Sequence, residues 1–163
     1  MIKNNVTRLL DQRKIPYKVF ELPEEKLGAE KTAEWLNVPL DTVFKTIVVS
    51  RIEGSKPILA VVPGSAEVDL KALAKVLGEK KVRTTTQREA EALTGLQAGG
   101  ISPLALINRG FQVVIDSSAR NFDAIHVSGG QLGLNIRLPV SDLAKLTNAR
   151  FADISSREHA ARD

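Results

Sequence analysis

The chain has 163 residues, 43% of them hydrophobic and 26% charged, the make-up of a folded protein that buries a sizeable core and is most simply one domain. A net charge of +4 suits a polyanionic partner without demanding one. With no cysteine, disulfide frameworks, thiolate metal sites and a cysteine nucleophile are excluded; no apolar run reaches the roughly 20 residues of a membrane span and no signal-peptide core opens the chain, so a cytoplasmic location is expected.

Asn4 or Asn5 is placed to cap a first helix carrying Val6, Leu9 and Leu10 on one face. Pro16 stops it, Tyr17 to Leu22 alternates like a strand, and Pro23 to Lys26 is a charged loop. Gly28 leads into a helix bearing Ala29, Thr32, Ala33 and Leu36, which ends near Asn37 and Pro39. Val43 to Val49 is rich in β-branched and aromatic residues and apolar on both faces, the pattern of a central strand. Alternation sets Val43, Lys45, Ile47 and Val49 on one face, with Phe44, Thr46 and Val48 on the other. Residues 53–57 carry turn chemistry, and Ile58 to Val62 returns as an antiparallel partner. Asp69 caps a helix through Leu70, Leu73, Ala74 and Leu77, closed by Gly78.

Lys80 to Thr84 reads as a short strand, and Thr86-Gln87-Arg88-Glu89 as a capping box opening a helix to Leu93. The stretch from Thr94 to Pro103 is too rich in glycine for an ordinary element. Phe111 to Asp116, Ala124 to Ser128 and Leu134 to Leu138 read as three further strands, with Gly129, Gly130 and Gly133 between the last two. A closing helix holds Leu143 and Leu146. The residues after Ile154 are polar and charged, so the domain is drawn over 1–154 with a frayed tail over 155–163. Strands and helices mix without a βαβ rhythm, which predicts a mixed α/β fold and argues against a doubly wound parallel sheet.

Three features carry candidate chemistry. Lys45 sits in a row of aliphatic side chains, and a buried ammonium is unstable unless it is paired or gives up its proton. It either snorkels out or pairs with a carboxylate, or it points into a pocket that receives a ligand. Gly99-Gly100-Ile101-Ser102-Pro103 offers either N–H groups converging on an oxygen or a tight turn beside a strand. Val127-Ser128-Gly129-Gly130, followed by Gly133, reads by itself as a hairpin loop. Phosphate-loop patterns are missing. His126 shares a strand face with Ala124 and Ser128 and reads as a partly exposed strand residue rather than a catalyst; His159 sits in the tail. No serine–histidine–acid arrangement and no metal cluster assembles, so neither a metal nor a cofactor is expected. Lys71, Lys75, Lys80, Lys81 and Arg83 bracket one helix end, either as a solvated face or as a track for phosphates.

Taken in order, Val43-Phe44-Lys45-Thr46, Asp69-Leu70-Lys71 with Leu73-Ala74, Gly78 with Lys80-Lys81, Thr94-Gly95, Gly99 through Leu104, and Val127 through Gly130 with Gly133-Leu134 closely resemble the YbaK/EbsC family of aminoacyl-tRNA deacylases. The resemblance runs over nearly the whole chain, down to Phe151-Ala152-Asp153-Ile154. It implies a mixed α/β fold on a curved, partly closed mixed β-sheet with helices around it. It also implies a trans-editing hydrolase that cleaves the 3′-terminal ester of a mischarged tRNA, Cys-tRNA(Pro) foremost. By the same resemblance, Lys45 is the catalytic residue beside the terminal ribose and the ester. Thr46, Gly28, Gly99, Gly100, Ile101, Ser102, Pro103, Ser128, Gly129, Leu22 and Leu27 surround the substrate. Where cysteine is removed, the substrate's own thiol is the implied nucleophile. The implied partners are the aminoacylated acceptor end of a tRNA and a prolyl-tRNA synthetase, with no DNA and no membrane.

The chain departs from many relatives in carrying Leu22, Leu27 and Leu96 at aromatic positions, and Gln131 and Leu132 at positions that are commonly basic. These changes bear on substrate identity more than on reaction type, leaving a deacylase for another small noncognate amino acid as one alternative. A non-catalytic tRNA- or synthetase-binding module of the same fold is a second. A Schiff-base enzyme using Lys45 on a carbonyl substrate is a third.

Overall fold

The structure, a computed structural model, describes residues 3–51 and 56–156. The turn expected at 53–55, His159 and the tail from 157 onward lie outside the described residues.

Local signals position the elements. Helix α1 (Asn5–Gln12) opens on Asn4, whose side chain accepts from the Thr7 N–H while the Thr7 hydroxyl accepts from the Asn4 N–H. Strand β1 (Lys18–Glu21) and helix α2 (Gly28–Leu36) follow, and α2 ends on Asn37 in the left-handed region at φ 55°. Next come β2 (Phe44–Arg51), β3 (Ile58–Pro63), β4 (Glu67–Val68) and α3 (Leu70–Leu77). The Asp69 carboxylate caps α3 and Gly78 closes it, as the sequence predicts. After β5 (Val82–Thr84), the Thr86–Glu89 capping box starts α4 (Gln87–Thr94). The chain continues through β6 (Gln112–Asp116), β7 (Ala124–Ser128), β8 (Leu134–Pro139), α5 (Val140–Thr147), β9 (Arg150–Ala152) and β10 (Ser155–Ser156).

The fold is mixed α/β, and among the described residues its strands form three sheets instead of one partly closed one. A five-stranded sheet has the order β5-β2-β3-β6-β9, a three-stranded sheet the order β1-β8-β7, and β10 pairs with β4. In the larger sheet β2 runs antiparallel to β3 and β5, while β3–β6 and β6–β9 are parallel. The two larger sheets meet at one parallel bridge, Val43 to His126. Ser155 and Ser156, expected at the start of a frayed tail, instead add β10 against β4.

Burial explains why β3 reads as an unbroken apolar run: its residues are buried on both faces. Leu59 and Val61 face the main core with Phe44 and Val48 of β2, Ile125 and Val127 of β7, Ile136 and Leu138 of β8, and Leu143 of α5. Ile58, Ala60 and Val62 face a second core with Val49, Val114, and Leu73 and Ala74 of α3. Each fully buried aliphatic side chain contributes roughly 1.5–3 kcal/mol, so these two layers dominate the stability. Strands β4, β9 and β10 have two or three residues each, too few for an alternation pattern to reveal them.

Asn4 does more than cap α1, since its Nδ2 donates to the Gly129 carbonyl and to Gln131 Oε1, both at 3.0 Å. Asn4→Ala is expected to lower stability by about 1–2 kcal/mol, read as a lower urea midpoint with an unchanged m-value. Amide exchange in the 129–131 loop should quicken in the same variant. An unaltered loop would show that α1 does not anchor it.

Candidate active site

One edge of β2 has no strand beside it between Val43, which is bridged to β7, and Val49, where β5 begins to pair. Two bonds fix which peptides face that edge. The Gly64 N–H donates to the Val43 carbonyl on the β3 side at 2.7 Å, and the Thr85 N–H donates to the Val48 carbonyl on the opposite side at 3.3 Å. Odd-numbered residues therefore turn their peptide groups toward β3, and even-numbered ones, with Thr46 at the centre, turn theirs to the open edge. A cleft of about 380 Å³ fills the gap.

Its walls come from distant parts of the chain. Leu22, Lys26, Leu27 and Gly28, between β1 and α2, form one wall with Ala29 and Thr32. Thr85, Thr86 and Gln87 at the start of α4 form another, and Lys26 Nζ donates across to Gln87 Oε1 at 3.0 Å. Ala98, Gly99 and Ile101 of the glycine-rich loop, with Ser128, Gly133, Leu134 and Asn135 of the β7–β8 hairpin, complete the enclosure. Ser128 Oγ donates to the Gly99 carbonyl at 3.3 Å and so ties the two loops together.

Of the residues expected around a substrate, Lys45, Thr46, Gly28, Gly99, Ile101, Ser128, Leu22 and Leu27 line this cleft. Gly100, Ser102, Pro103 and Gly129 lie behind the lining. Gly100 is buried against the neighbouring loop, and a Cβ there would stand 2.9 Å from Gln131 Cα. Ser102 is fully buried, and its Oγ accepts from the Leu104 N–H at the start of the short 3-10 turn that Pro103 opens. Gly129 donates its N–H to the Leu134 carbonyl at 2.8 Å, closing the hairpin. Leu96 packs on the main core, apart from the cleft.

Lys45 is not the buried cation that its apolar row suggests. Its side chain is 27% exposed, and its Nζ lies 3.4 Å from Oε1 of Glu67, which is 75% exposed on β4. A pair this open and this long contributes little to stability, so Glu67 is readily exchanged for another partner. The hydroxyls of the walls are engaged with the backbone: Thr32 donates to the Gly28 carbonyl, Thr85 to the Val48 carbonyl, and Thr86 accepts from the Glu89 N–H. Among the described residues, none of these hydroxyls is bonded to a histidine or a carboxylate that could activate it.

His126 is buried at 2% exposure, against the expectation of a partly exposed strand residue, because the Val43 bridge and the Phe20 ring cover it. Its Nδ1 meets Asn135 Oδ1 at 2.9 Å. Burial is the main influence holding its pKa below the ordinary histidine value of 6.5; the Asn135 bond opposes that shift and the Arg137 charge adds to it. Asn135 and the Thr85–Gln87 wall were not singled out by sequence reasoning. The capping box marks where α4 begins but carries no signal of what it faces.

A model of the aminoacyl-tRNA editing domain matches residues 23–146. A protein of Enterococcus faecalis, provisionally named Cys-tRNA(Pro)/Cys-tRNA(Cys) deacylase EbsC, is 39% identical over 160 residues, covering 96% of this chain and 95% of the relative. A proline–tRNA ligase of Burkholderia multivorans is 26% identical over 140 residues, spanning 80% of this chain and 24% of the ligase. Among solved structures, one provisionally described as a trans-editing enzyme for prolyl tRNA synthetase superposes with a TM-score of 0.80 at 24% identity, over 96% of this chain and 99% of that one. A hypothetical protein superposes with a TM-score of 0.85 at 22% identity, over 94% and 100%. At those identities the likeness speaks for the fold.

Two outcomes follow from the packing behind the cleft. Gly100→Val places side-chain atoms against the Gln131–Leu132 backbone, so a drop of several degrees in melting temperature is expected, on the order of 1–3 kcal/mol for overpacking. A variant as stable as the parent would return Gly100 to open space. For His126 the unfolded chain binds the extra proton first, so its contribution to stability is complete above about pH 6.5 and declines as pH falls below that value. Denaturation midpoints measured on both sides of this pH should show the decline, and it should shrink in His126→Phe. An identical slope in that variant would exclude His126 as the source.

Proposed function

The chain belongs to the aminoacyl-tRNA editing domain family, and from that premise we propose that it is a hydrolase that removes a wrongly attached amino acid from the 3′ end of a tRNA, with Cys-tRNA(Pro) as the substrate. The observation that carries this reading is the cleft along the open edge of β2, where a cationic side chain, Lys45, stands beside the outward-facing peptide of Thr46. The nucleophile adds to the acyl carbon, the carbonyl oxygen gains negative charge, and the ester bond to the ribose oxygen then breaks, with a proton passing to that leaving oxygen. Lys45 opposes the developing charge and the Thr46 N–H is directed to the same gap. The engaged hydroxyls of the walls support a nucleophile from outside the protein: the substrate's own thiol when the amino acid is cysteine, otherwise water. The aliphatic lining at Leu22, Leu27 and Ile101 suits a small side chain. The relationship to proline–tRNA ligases supports a prolyl-tRNA synthetase as the partner that hands over the tRNA, and that role suits a cytoplasmic location.

The test is deacylation of tRNA(Pro) charged with cysteine, alanine or proline, and of tRNAs charged with serine or threonine. Cysteine should be released fastest and proline least, with rates falling as salt screens the phosphates. Serine should lag behind cysteine, because a thiolate forms far more readily than an alkoxide. Equal rates for cysteine and serine would replace thiol attack with water. Lys45→Ala should lower the rate by about 10²–10³-fold in a folded protein, the usual effect of removing one charge-stabilising donor. Release of none of the five amino acids, with tRNA binding intact, would make the domain a binding module.

A further inference from the structure

The least expected polar arrangement among the described residues lies on the face of the three-stranded sheet opposite the main core, the face from which Ser128 and Asn135 reach the cleft. Ser128 pairs with Asn135 across β7 and β8, and His126 pairs with Arg137. His126 and Asn135 are therefore diagonal neighbours on one face of the sheet. Both are buried, at 2% and 5% exposure, and the Arg137 charge lies on the same face beside His126. The Phe20 ring lies 5.4 Å from the imidazole, tilted by 53°, and the Val43 backbone bridges to His126 from the other sheet.

Asn135 lines the cleft. Its Oδ1 lies 2.9 Å from His126 Nδ1, a contact in which the imidazole donates when its proton sits on Nδ1. The amide nitrogen then points the other way. It has no hydrogen-bond partner among the described residues, yet no fully buried side-chain N or O atom there lacks one, so Nδ2 reaches open space, which for this residue is the cleft. An asparagine without a fixed neighbour presents oxygen or nitrogen by turning its amide over. An N–H on Nδ1 of the buried ring selects the oxygen.

We propose that His126 is a positioning residue that holds the Asn135 amide with its Nδ2 toward the cleft, as a second donor for an oxygen of the aminoacyl end. The inference rests on the deacylase reading above. In that reading the acceptor is the acyl carbonyl or a ribose oxygen. A neutral donor on the far wall complements Lys45, because it fixes the direction of the ester and not only its charge. Burial keeps the imidazole neutral and its ring locked, so the orientation is set before substrate arrives.

His126→Phe keeps an aromatic ring beside Phe20 and deletes the N–H. We expect kcat to fall about tenfold, the size of one positioned neutral hydrogen bond, with KM little changed and the protein still folded at the assay temperature. His126→Asn, whose amide N–H can occupy the Nδ1 position, should recover most of that rate. Unchanged kcat in a folded His126→Phe protein would overturn the inference while leaving the deacylase reading intact. A wild-type protein inactive on every aminoacyl-tRNA would overturn both. Should the variant not fold, the wild-type protein decides the matter by NMR. The probe is 3′-alanylamino-3′-deoxyadenosine, an amide that resists hydrolysis. Its addition should shift the Asn135 side-chain NH₂ signals and slow their exchange. Shifts at Thr46 and Gly99 without any at the Asn135 amide would also overturn the inference.

Discussion

The structure depends on an interruption in hydrogen bonding. Strand β2 is central over one part of its length and an edge over another. It has β3 along one side from Phe44 to Val49, but on the other side it has β5 only from Val49 onward and a bridge to β7 at Val43. An unpaired strand edge is ordinarily covered or blunted. Here it is enclosed by side chains from five segments, and the enclosure is the cleft. The backbone polarity that a sheet normally satisfies internally is thereby made available to a ligand.

Two loops keep this gap at a fixed size. The glycine-rich loop and the β7–β8 hairpin approach so closely that Gly100 leaves no room for a Cβ beside Gln131. Gly99, at φ 91°, presents its carbonyl to Ser128. Close packing is what the glycines contribute at positions 100 and 129, and contact with the cleft is what they contribute at 99. Helix α1 braces the arrangement from outside through Asn4. The loops thus behave as one layer, stiff because each constrains the other.

Much of this was legible in the sequence for a clear physical reason. Caps at Asn4, Asp69 and Thr86, the left-handed stops at Asn37 and Gly78, and the apolar runs of β2 and β3 are local signals, and local physics decides them. The residue pattern singled out Lys45 and the loop glycines and the family resemblance gave them roles, but neither could separate Gly99, in the cleft, from Gly100, one residue behind it. That distinction depends on which loop packs on which, a long-range fact. Which of the alternatives Lys45 takes is a long-range fact of the same kind: it is partly exposed, paired with Glu67 and in the lining of the cleft. Alternation places it in an apolar row, but Val62 is its pairing partner near the end of β3, where β4 then brings Glu67 alongside. His126 was misjudged, because the Val43 bridge and Phe20 that bury it come from other strands.

The bridge between Val43 and His126 also has a mechanical meaning. It sets β7 beside β2 at the end of the cleft, and behind it the two larger sheets share one core through Phe44, Val48, Val127 and Ile136. None of Val127, Ile136 and Leu59 lines the cleft, yet interiors are close-packed and an added methylene must displace its neighbours. A residue that never meets a ligand is thus coupled to the cleft through the packing behind β2.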